Sequence, residues 1–275
     1  MSAPYTAIDG LVRVYPATDP DGSGLVWAHG GAFAFGDIDM PESDWVAGEL
    51  AARGTTVVSV DYRLAPVPSG FRDDLEARPG AHFPAASDDM LTAFRWARAT
   101  AAELGIRSEA LALGGTSAGG NLAAGAALRL AADETPALVV LAYPTLLAVQ
   151  PVPDAELRRK LDADPDADRF GPDAVRWMYE NYLGGPVEDA PIAAVPGLAT
   201  ASELAGFPPT LMVNGDVDEL RVSGEHFAGT LAAAGREIEV LTEPGTQHGH
   251  LNRPEEAAAT RTIERISARL RALTG

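Results

Sequence analysis

The chain has 275 residues, 46% of them hydrophobic, and this is enough to bury the core of one large α/β domain. Its formal net charge of −18 argues against nucleic acid and anionic membranes as partners, because their phosphates would be repelled. The absence of cysteine excludes disulfides, a thiolate nucleophile and a cysteine-based zinc site. Residues 1–10 lack the features of a signal peptide and no long apolar run is present, so we expect a cytoplasmic protein without membrane insertion.

The first two predicted strands are residues 11–15, which alternate apolar and polar side chains, and the apolar run 25–28. We interpret them as antiparallel strands that open a sheet. The second strand runs into His29-Gly30-Gly31, where consecutive glycines allow backbone N–H groups to point at a ligand, as an oxyanion hole requires. An ordinary glycine turn, with His29 fixing the loop by hydrogen bonds, explains the same residues.

The next segments alternate between helix and strand. Amphipathic spacing predicts a helix over 41–53, and β-branched residues predict a buried parallel strand over 55–60. The stretch 67–81 is rich in proline, glycine and charge, which is typical of a surface loop. A long helix over 84–104 and a strand over 110–113 follow.

The sequence Gly115-Thr116-Ser117-Ala118-Gly119 fits G-x-S-x-G, the nucleophile elbow, and it lies between a predicted strand and an alanine-rich helix. Glycines on both sides of the serine allow a turn too tight for side chains, which lifts the Ser117 hydroxyl clear of the sheet. The serine also begins a helix, where free N–H groups favour developing negative charge. A glycine turn that only lets the helix pack closely on the sheet is the alternative. A phosphate-binding loop is disfavoured, because no Gly-Lys-Ser/Thr follows.

After this helix a buried strand is predicted over 137–142, and then the alternation breaks. Helical segments at 151–168 and 172–183 lie within residues 145–205. We interpret 145–205 as a lid inserted into the domain. A helical decoration with no role in access is the alternative.

The alternation returns with a strand over 209–214, a helix that ends at Ala234, a strand over 238–241 and a last helix over 254–273. In total, about eight mostly parallel strands alternate with helices on both faces. This pattern predicts a single doubly wound α/β domain over residues 1–275.

Parallel sheets carry functional groups in the loops at the carboxyl ends of their strands. Three predicted loops hold reactive residues in the order serine, acid and histidine: Ser117, then Asp216, Asp218 and Glu219, then His248 and His250. This is the order of α/β-hydrolase triads. The serine needs a neutral imidazole to take its proton, and a carboxylate must hold that imidazole in the correct tautomer. The residues therefore predict a serine hydrolase and leave the choice among the acids open.

Seven short motifs follow one another along the chain: His29-Gly30-Gly31, Asp61-Tyr62-Arg63-Leu64-Ala65-Pro66, Phe83-Pro84-Ala85-Ala86, Gly115-Thr116-Ser117-Ala118-Gly119-Gly120, Tyr143-Pro144, Asp218-x-Leu220-Arg221 and His248-Gly249. With these motifs the chain resembles the hormone-sensitive-lipase-like carboxylesterases, also called bacterial family IV esterases. The resemblance implies an α/β-hydrolase fold with Ser117 as nucleophile, His248 as base and Asp218 as acid. It also implies an oxyanion hole formed by the N–H groups of Gly30, Gly31 and Ala118.

The chain departs from the family pattern at several places. Ala32 stands where the family usually has a third glycine, His250 where it has phenylalanine, and Thr116 where aspartate is common, which marks the GTSAG branch. The family also carries helices before its first strands that form half of the lid. Because Leu11 is already predicted in a strand, we expect that half to be absent and the 67–81 loop to be longer than usual. These departures predict a shallower, more open acyl site bounded by residues 145–205, with the 67–81 loop as a second candidate boundary.

The function favoured by these observations is hydrolysis of carboxylic esters with short acyl chains, with a small-molecule ester as partner and no metal or organic cofactor. An amidase or a lactonase would use the same machinery. A binding protein without activity is disfavoured by His248, since the plant hormone receptor of this fold has lost that histidine. A metal site at His248-x-His250 with Asp216 lacks a convincing third ligand. The natural substrate and a homodimer are left open.

Overall fold

An eight-stranded sheet forms the centre of the computed structural model, which describes residues 3–69 and 76–275. The strands in chain order are β1 (Tyr5–Ala7), β2 (Val12–Tyr15), β3 (Gly24–Ala28), β4 (Thr56–Val60), β5 (Leu111–Thr116), β6 (Val139–Ala142), β7 (Thr210–Val217) and β8 (Ile238–Gln247). Their order across the sheet is β1-β2-β4-β3-β5-β6-β7-β8. The predicted eight-stranded, mostly parallel sheet is confirmed. Strand β1 was not predicted, and β8 continues well beyond its predicted end at residue 241.

The first two predicted strands do not pair with each other. Strand β2 pairs antiparallel with β1 and with β4, and β4 separates it from β3. Strand β3 runs parallel to both β4 and β5, and the parallel pairing continues from β5 to β8. The carboxyl ends of β3, β5, β7 and β8 therefore open at one edge of the sheet, where the loops with reactive residues meet.

Helices cover both faces of the sheet in the described part of the chain: α1 (Asp44–Ala52), α2 (Ala85–Ala99), α3 (Ser117–Arg129), α4 (Ala155–Ala163), α5 (Pro172–Leu183), α6 (Arg221–Ala233) and α7 (Ala257–Arg271). One apolar cluster contains buried residues of α1 and α7, such as Leu50 and Ile263. A second, larger cluster contains buried residues of α2, α3 and α6, such as Phe94, Leu122 and Phe227. The domain is therefore built of three layers, as the doubly wound pattern predicts.

Helices α4 and α5 lie within the predicted lid, residues 145–205. Helix α4 is shorter than the predicted helical segment 151–168, and Asp154 caps it by accepting a hydrogen bond from the Leu157 N–H. Helix α5 buries Tyr182 against Phe33, whose ring stacks on it at 4.0 Å. Its Trp177 and Met178 line the cavity above Ser117. The 145–205 segment thus packs against the loop that follows β3.

Residues 70–75, in the predicted 67–81 loop, lie outside the described residues. At the base of this loop Val67 and Arg78 form an isolated antiparallel bridge through two backbone hydrogen bonds. Within 3–69 and 76–275, every helix is too short or too polar to cross a bilayer.

Candidate active site

The turn between β5 and α3 places Ser117 above the sheet with a positive φ of 49°, a backbone conformation that is rare for residues other than glycine. The flanking glycines make this turn feasible. A Cβ on Gly119 would lie 2.2 Å from the carbonyl oxygen of Ala28, and one on Gly115 would lie 2.5 Å from the Gly119 carbonyl oxygen. Only glycine fits at both positions, so the sequence pattern allows the tight turn that carries the serine.

The structure brings Ser117, His248 and Asp218 into one hydrogen-bonded chain. Ser117 Oγ lies 3.0 Å from His248 Nε2, and His248 Nδ1 lies 2.8 Å from Asp218 Oδ2. Asp218 is fully buried, and its other oxygen accepts the N–H of Leu220 at 2.9 Å. Because an ionised carboxylate only accepts hydrogen bonds, Nδ1 carries the imidazole proton and Nε2 is left to accept the serine hydroxyl.

The other two acids of the β7 loop have different partners. Asp216 accepts hydrogen bonds from Lys160 at 2.5 Å and from the Gly245 N–H at 3.0 Å. Burial works against the charge of Asp216, but these donors outweigh it and lower its pKa. Glu219 accepts the N–H of Phe170 at 2.5 Å, and burial raises its pKa. Asp218 is therefore the acid of this loop that holds His248.

The N–H of Gly30 is already occupied, because it donates to Oε1 of Glu42 at 2.7 Å. The prediction that Gly30 contributes to an oxyanion hole is therefore wrong. In the described chain, no hydrogen bond of the Gly31 or Ala32 N–H is found, and both residues line the cavity beside Ser117. Ala118 lies in the first turn of α3, where backbone N–H groups have no intrahelical acceptor. These three amides are the available donors next to the nucleophile.

Hydrogen bonds fix the loop that carries these amides. His29 Nδ1 lies 2.6 Å from the carbonyl oxygen of Gly30, and the Tyr62 hydroxyl donates to the carbonyl oxygens of His29 and Gly30 at 3.0 and 3.1 Å. The His29 ring stacks on Tyr62 at 4.4 Å, and burial lowers its pKa to about 4. His29 is thus a neutral side chain that holds the loop, which agrees with the structural alternative considered for it.

A cavity of about 660 Å³ opens above Ser117. The loop after β3 lines this cavity with Phe35 and Met40, and helix α5 lines it with Trp177 and Met178. His248 lines the cavity beside Phe170, whose ring lies 4.6 Å from the imidazole. The lining is mostly apolar and includes a few polar side chains, among them Ser117 and Glu42, as in sites for small organic ligands.

His250 does not join this centre. It is fully buried, its Nε2 lies 2.9 Å from Thr262 Oγ1, and burial lowers its pKa to about 4. Asp216, the other residue of the metal alternative, pairs with Lys160. Among the described residues, no group of three or more side chains suited to a metal ion occurs.

Glu42 is a residue of the site that the sequence analysis missed. It is 2% exposed and lines the cavity, although it precedes α1 by two positions in a stretch that showed only a helix start. Its two partners, Gly30 and Tyr143, are distant in sequence, and so no local pattern could identify it.

The chain is similar to several known proteins. A family model described as alpha/beta hydrolase fold matches residues 25–252. Carboxylesterase NlhH of Mycobacterium tuberculosis is 36% identical over 279 residues, covering 96% of this chain and 80% of that protein. Ethyl acetate hydrolase of Pseudomonas putida is 33% identical over 249 residues, covering 86% and 70%. The crystal structure of esterase LipW from Mycobacterium marinum superposes with a TM-score of 0.76 at 29% identity, covering 98% of this chain and 80% of that one.

Proposed function

The chain belongs to the α/β hydrolase fold family, and from this premise we propose that its Ser117 centre hydrolyses small carboxylic esters through an acyl-enzyme. The observation that carries the proposal is the hydrogen-bonded chain from Ser117 through His248 to Asp218. The names of the relatives, a carboxylesterase and an ethyl acetate hydrolase, support an ester as the substrate.

In the acylation half-reaction, Ser117 Oγ attacks the ester carbonyl carbon while its proton passes to His248 Nε2, 3.0 Å away. Asp218 stabilises the imidazolium that forms and keeps its ring oriented. The carbonyl oxygen becomes an oxyanion, and we assign its stabilisation to the N–H groups of Gly31, Ala32 and Ala118. His248 then gives its proton to the leaving alcohol oxygen, and the acyl group stays on the serine.

In deacylation, water enters the position that the alcohol has left. His248 Nε2 takes a proton from this water, the hydroxide attacks the acyl carbon, and the same N–H groups bind the second oxyanion. When the tetrahedral intermediate collapses, the proton returns from His248 to Ser117 Oγ and the carboxylic acid is released. Every proton transfer therefore uses one nitrogen of one histidine.

We infer that short acyl chains are preferred. Each CH₂ contributes about 0.8 kcal/mol only where the protein removes it from water. The described cavity has a volume of about 660 Å³, and its apolar lining comes from Phe35 and Met40 of the loop after β3 and from Trp177 and Met178 of α5. Beyond the first few carbons an acyl chain stays hydrated and still loses conformational freedom. A cytoplasmic location stays a prediction from the sequence, and a homodimer stays open.

A panel of p-nitrophenyl esters from acetyl to decanoyl, each below its aggregation threshold, tests the proposal. We expect kcat/KM to peak between acetyl and butyryl and to fall at least about tenfold, near 1.4 kcal/mol, by decanoyl. Ser117→Ala should lose on the order of 10⁶ in kcat and should no longer react with an organophosphate, which labels the wild type once.

Ser59→Ala is the matched control, because Ser59 is fully buried in β4 and has no role in the proposed reaction. It should keep wild-type turnover. If Ser117→Ala keeps turnover within about tenfold of the wild type, the acyl-enzyme mechanism is wrong. A profile that still rises at decanoyl would contradict the short-chain preference alone.

A further inference from the structure

Glu42 is a buried acid whose two carboxylate oxygens each meet one uncharged donor. Oε1 accepts the Gly30 N–H at 2.7 Å, and Oε2 accepts the Tyr143 hydroxyl at 2.9 Å. The backbone of Glu42 is also anchored, since its N–H donates to Asn252 at 3.2 Å and its carbonyl accepts the Trp27 indole N–H at 2.8 Å. In the described part of the chain, Glu42 forms no ion pair.

A carboxyl group in this position costs free energy, because it is withdrawn from water without a cation to compensate. Burial raises the pKa of Glu42, while the hydrogen bonds from the Gly30 N–H and the Tyr143 hydroxyl work in the opposite direction. An apolar residue of the same size would fill the space without this cost. Burial alone therefore does not explain an acid at this position, and we infer the role of Glu42 from its contacts.

Those contacts fix the peptide that precedes the oxyanion donors. A trans peptide is planar, so its N–H and C=O point in opposite directions. The 29–30 peptide is held at both ends, at its N–H by Glu42 and at its carbonyl by the Tyr62 hydroxyl. The next peptide is held at the Gly30 carbonyl by His29 and Tyr62, which directs the Gly31 N–H away from them.

Glu42 and the nucleophile Ser117 both lie close to Gly30. A Cβ on Gly30 would lie 2.7 Å from Glu42 Oε1 and 3.0 Å from the Cβ of Ser117. The carboxyl group, Gly30 and the serine are therefore packed in series. A shift of the Gly30 peptide toward an unfilled carboxyl position would move the Gly31 N–H relative to Ser117.

We propose that Glu42 is a positioning residue that acts through the Gly30 N–H and orients the oxyanion donors of Gly31 and Ala32 toward Ser117. Tyr143 holds the carboxyl from the other side, and its ring lies edge-on to His248 at 5.1 Å. The same phenol thus contacts the acid behind the oxyanion loop and the base. This inference rests on the proposed ester hydrolysis.

The inference predicts different activities for two substitutions of Glu42. Glu42→Gln keeps an amide oxygen that can accept the Gly30 N–H, whereas Glu42→Met keeps the volume and loses the acceptor. Because an oxyanion forms only in the transition state, loss of its alignment lowers kcat and leaves substrate binding nearly unchanged. We expect Glu42→Met to lose on the order of 10² in kcat with KM within about threefold, comparable to the removal of one oxyanion donor.

The test measures kcat and KM for p-nitrophenyl acetate and the affinity of a trifluoromethyl ketone, which forms a tetrahedral adduct with the serine. Concentrations are those of active sites titrated with an organophosphate, so partly unfolded protein does not count. Glu42→Gln should stay within about tenfold of the wild type. In Glu42→Met, ketone affinity should fall by the same factor as kcat/KM.

Glu243→Met is the matched control. Glu243 is 1% exposed and pairs with Arg261 between β8 and α7, outside the cavity. The Glu243→Met substitution should lower thermal stability and leave kcat per titrated site unchanged. The proposed function is tested separately, by comparing the activity of the wild type with that of Ser117→Ala. Either inference can therefore fail without the other.

Three results would overturn the role of Glu42. The first is a Glu42→Met enzyme with kcat within about threefold of the wild type. The second is an equal loss in Glu42→Gln and Glu42→Met, which would assign the effect to charge rather than to the acceptor. The third is a loss in Glu42→Met that Glu243→Met reproduces per titrated site.

Discussion

At the residue scale, the distance to His248 distinguishes three acids that the sequence alone does not. Asp216, Asp218 and Glu219 occupy one loop after β7, and only Asp218 lies within hydrogen-bond distance of His248, at 2.8 Å. Asp216 is turned toward Lys160 of α4, and Glu219 toward the backbone of Phe170. The three carboxylates thus orient a base, link a helix to the sheet and hold a loop.

This arrangement predicts that the same substitution, aspartate to asparagine, has unequal effects at Asp218 and Asp216. Asp218→Asn should cost roughly 10⁴ in kcat, because an amide facing Nδ1 favours the wrong imidazole tautomer. Asp216→Asn should cost less than about tenfold, since it weakens contacts with Lys160 and the Gly245 N–H and none with His248. The measurement is kcat per titrated site on p-nitrophenyl acetate. Should Asp216→Asn prove the more damaging change, Asp218 would not be the orienting acid.

At the element scale, the β5–α3 turn depends on glycines that no other residue can replace. Gly119→Ala would place a Cβ 2.2 Å from the Ala28 carbonyl oxygen and 2.4 Å from that of His29, both of them backbone atoms that cannot move aside. We expect a loss of several kcal/mol in the free energy of unfolding, or no folded protein.

Gly229→Ala in α6 is the matched control, because nothing lies within 4 Å of its added Cβ. There alanine should raise the free energy of unfolding by up to about 1 kcal/mol, since it is the better helix former. Urea unfolding of both variants measures the contrast. A Gly119→Ala protein as stable as Gly229→Ala would show that α3 packs less closely on β3 than the distances indicate.

The sequence predicts some elements better than others. An element is predicted well when the residues that determine its structure are close together in the sequence. The β-branched strand β4 and the glycine pair around Ser117 carry their signal within a few residues, and both predictions agree with the structure. The pairing of β2 with β4 was not predictable, because register depends on partners 40 or more residues apart.

The same argument explains the oxyanion loop. The sequence marks His29-Gly30-Gly31 as able to present N–H groups, and the resemblance assigned two of them. Which amide is free depends on Glu42, a side chain twelve positions beyond Gly30 that reaches back across the loop. Because this contact is set by tertiary packing, the error at Gly30 could be found only in three dimensions.

At the scale of the whole molecule, two buried histidines tie stability to pH. Burial lowers the pKa of both His29 and His250 to about 4, against 6.5 in the unfolded chain. The unfolded chain therefore binds more protons between these values, so their contribution is fully present above pH 6.5 and is lost as pH falls toward 4. Glu42 works in the opposite direction, because its pKa is raised.

His250→Gln should flatten this dependence. The difference between pKa values of 6.5 and about 4 corresponds to on the order of 3 kcal/mol for one histidine. Glutamine does not titrate, and its amide can bond to Thr262, so the variant should lose less stability than the wild type between pH 7 and 4.5. Urea unfolding at both pH values gives the difference.

His226→Gln is the control for that measurement, since His226 is exposed on α6. It should follow the wild-type curve. A His250→Gln protein with the wild-type slope would mean that His250 becomes protonated without cost, which its burial among Tyr143, Thr262 and the neighbouring His248 argues against.

The ion pair between Lys160 and Asp216 has a practical consequence, because Lys160 is the one lysine among the 21 basic residues. Amine-selective reagents can modify one side chain here, Lys160 on α4, besides the terminal α-amine of the chain. The same step would neutralise the ammonium and sever the link between α4 and β7. Any change in turnover on coupling at Lys160 would then report how far that link matters to the reaction.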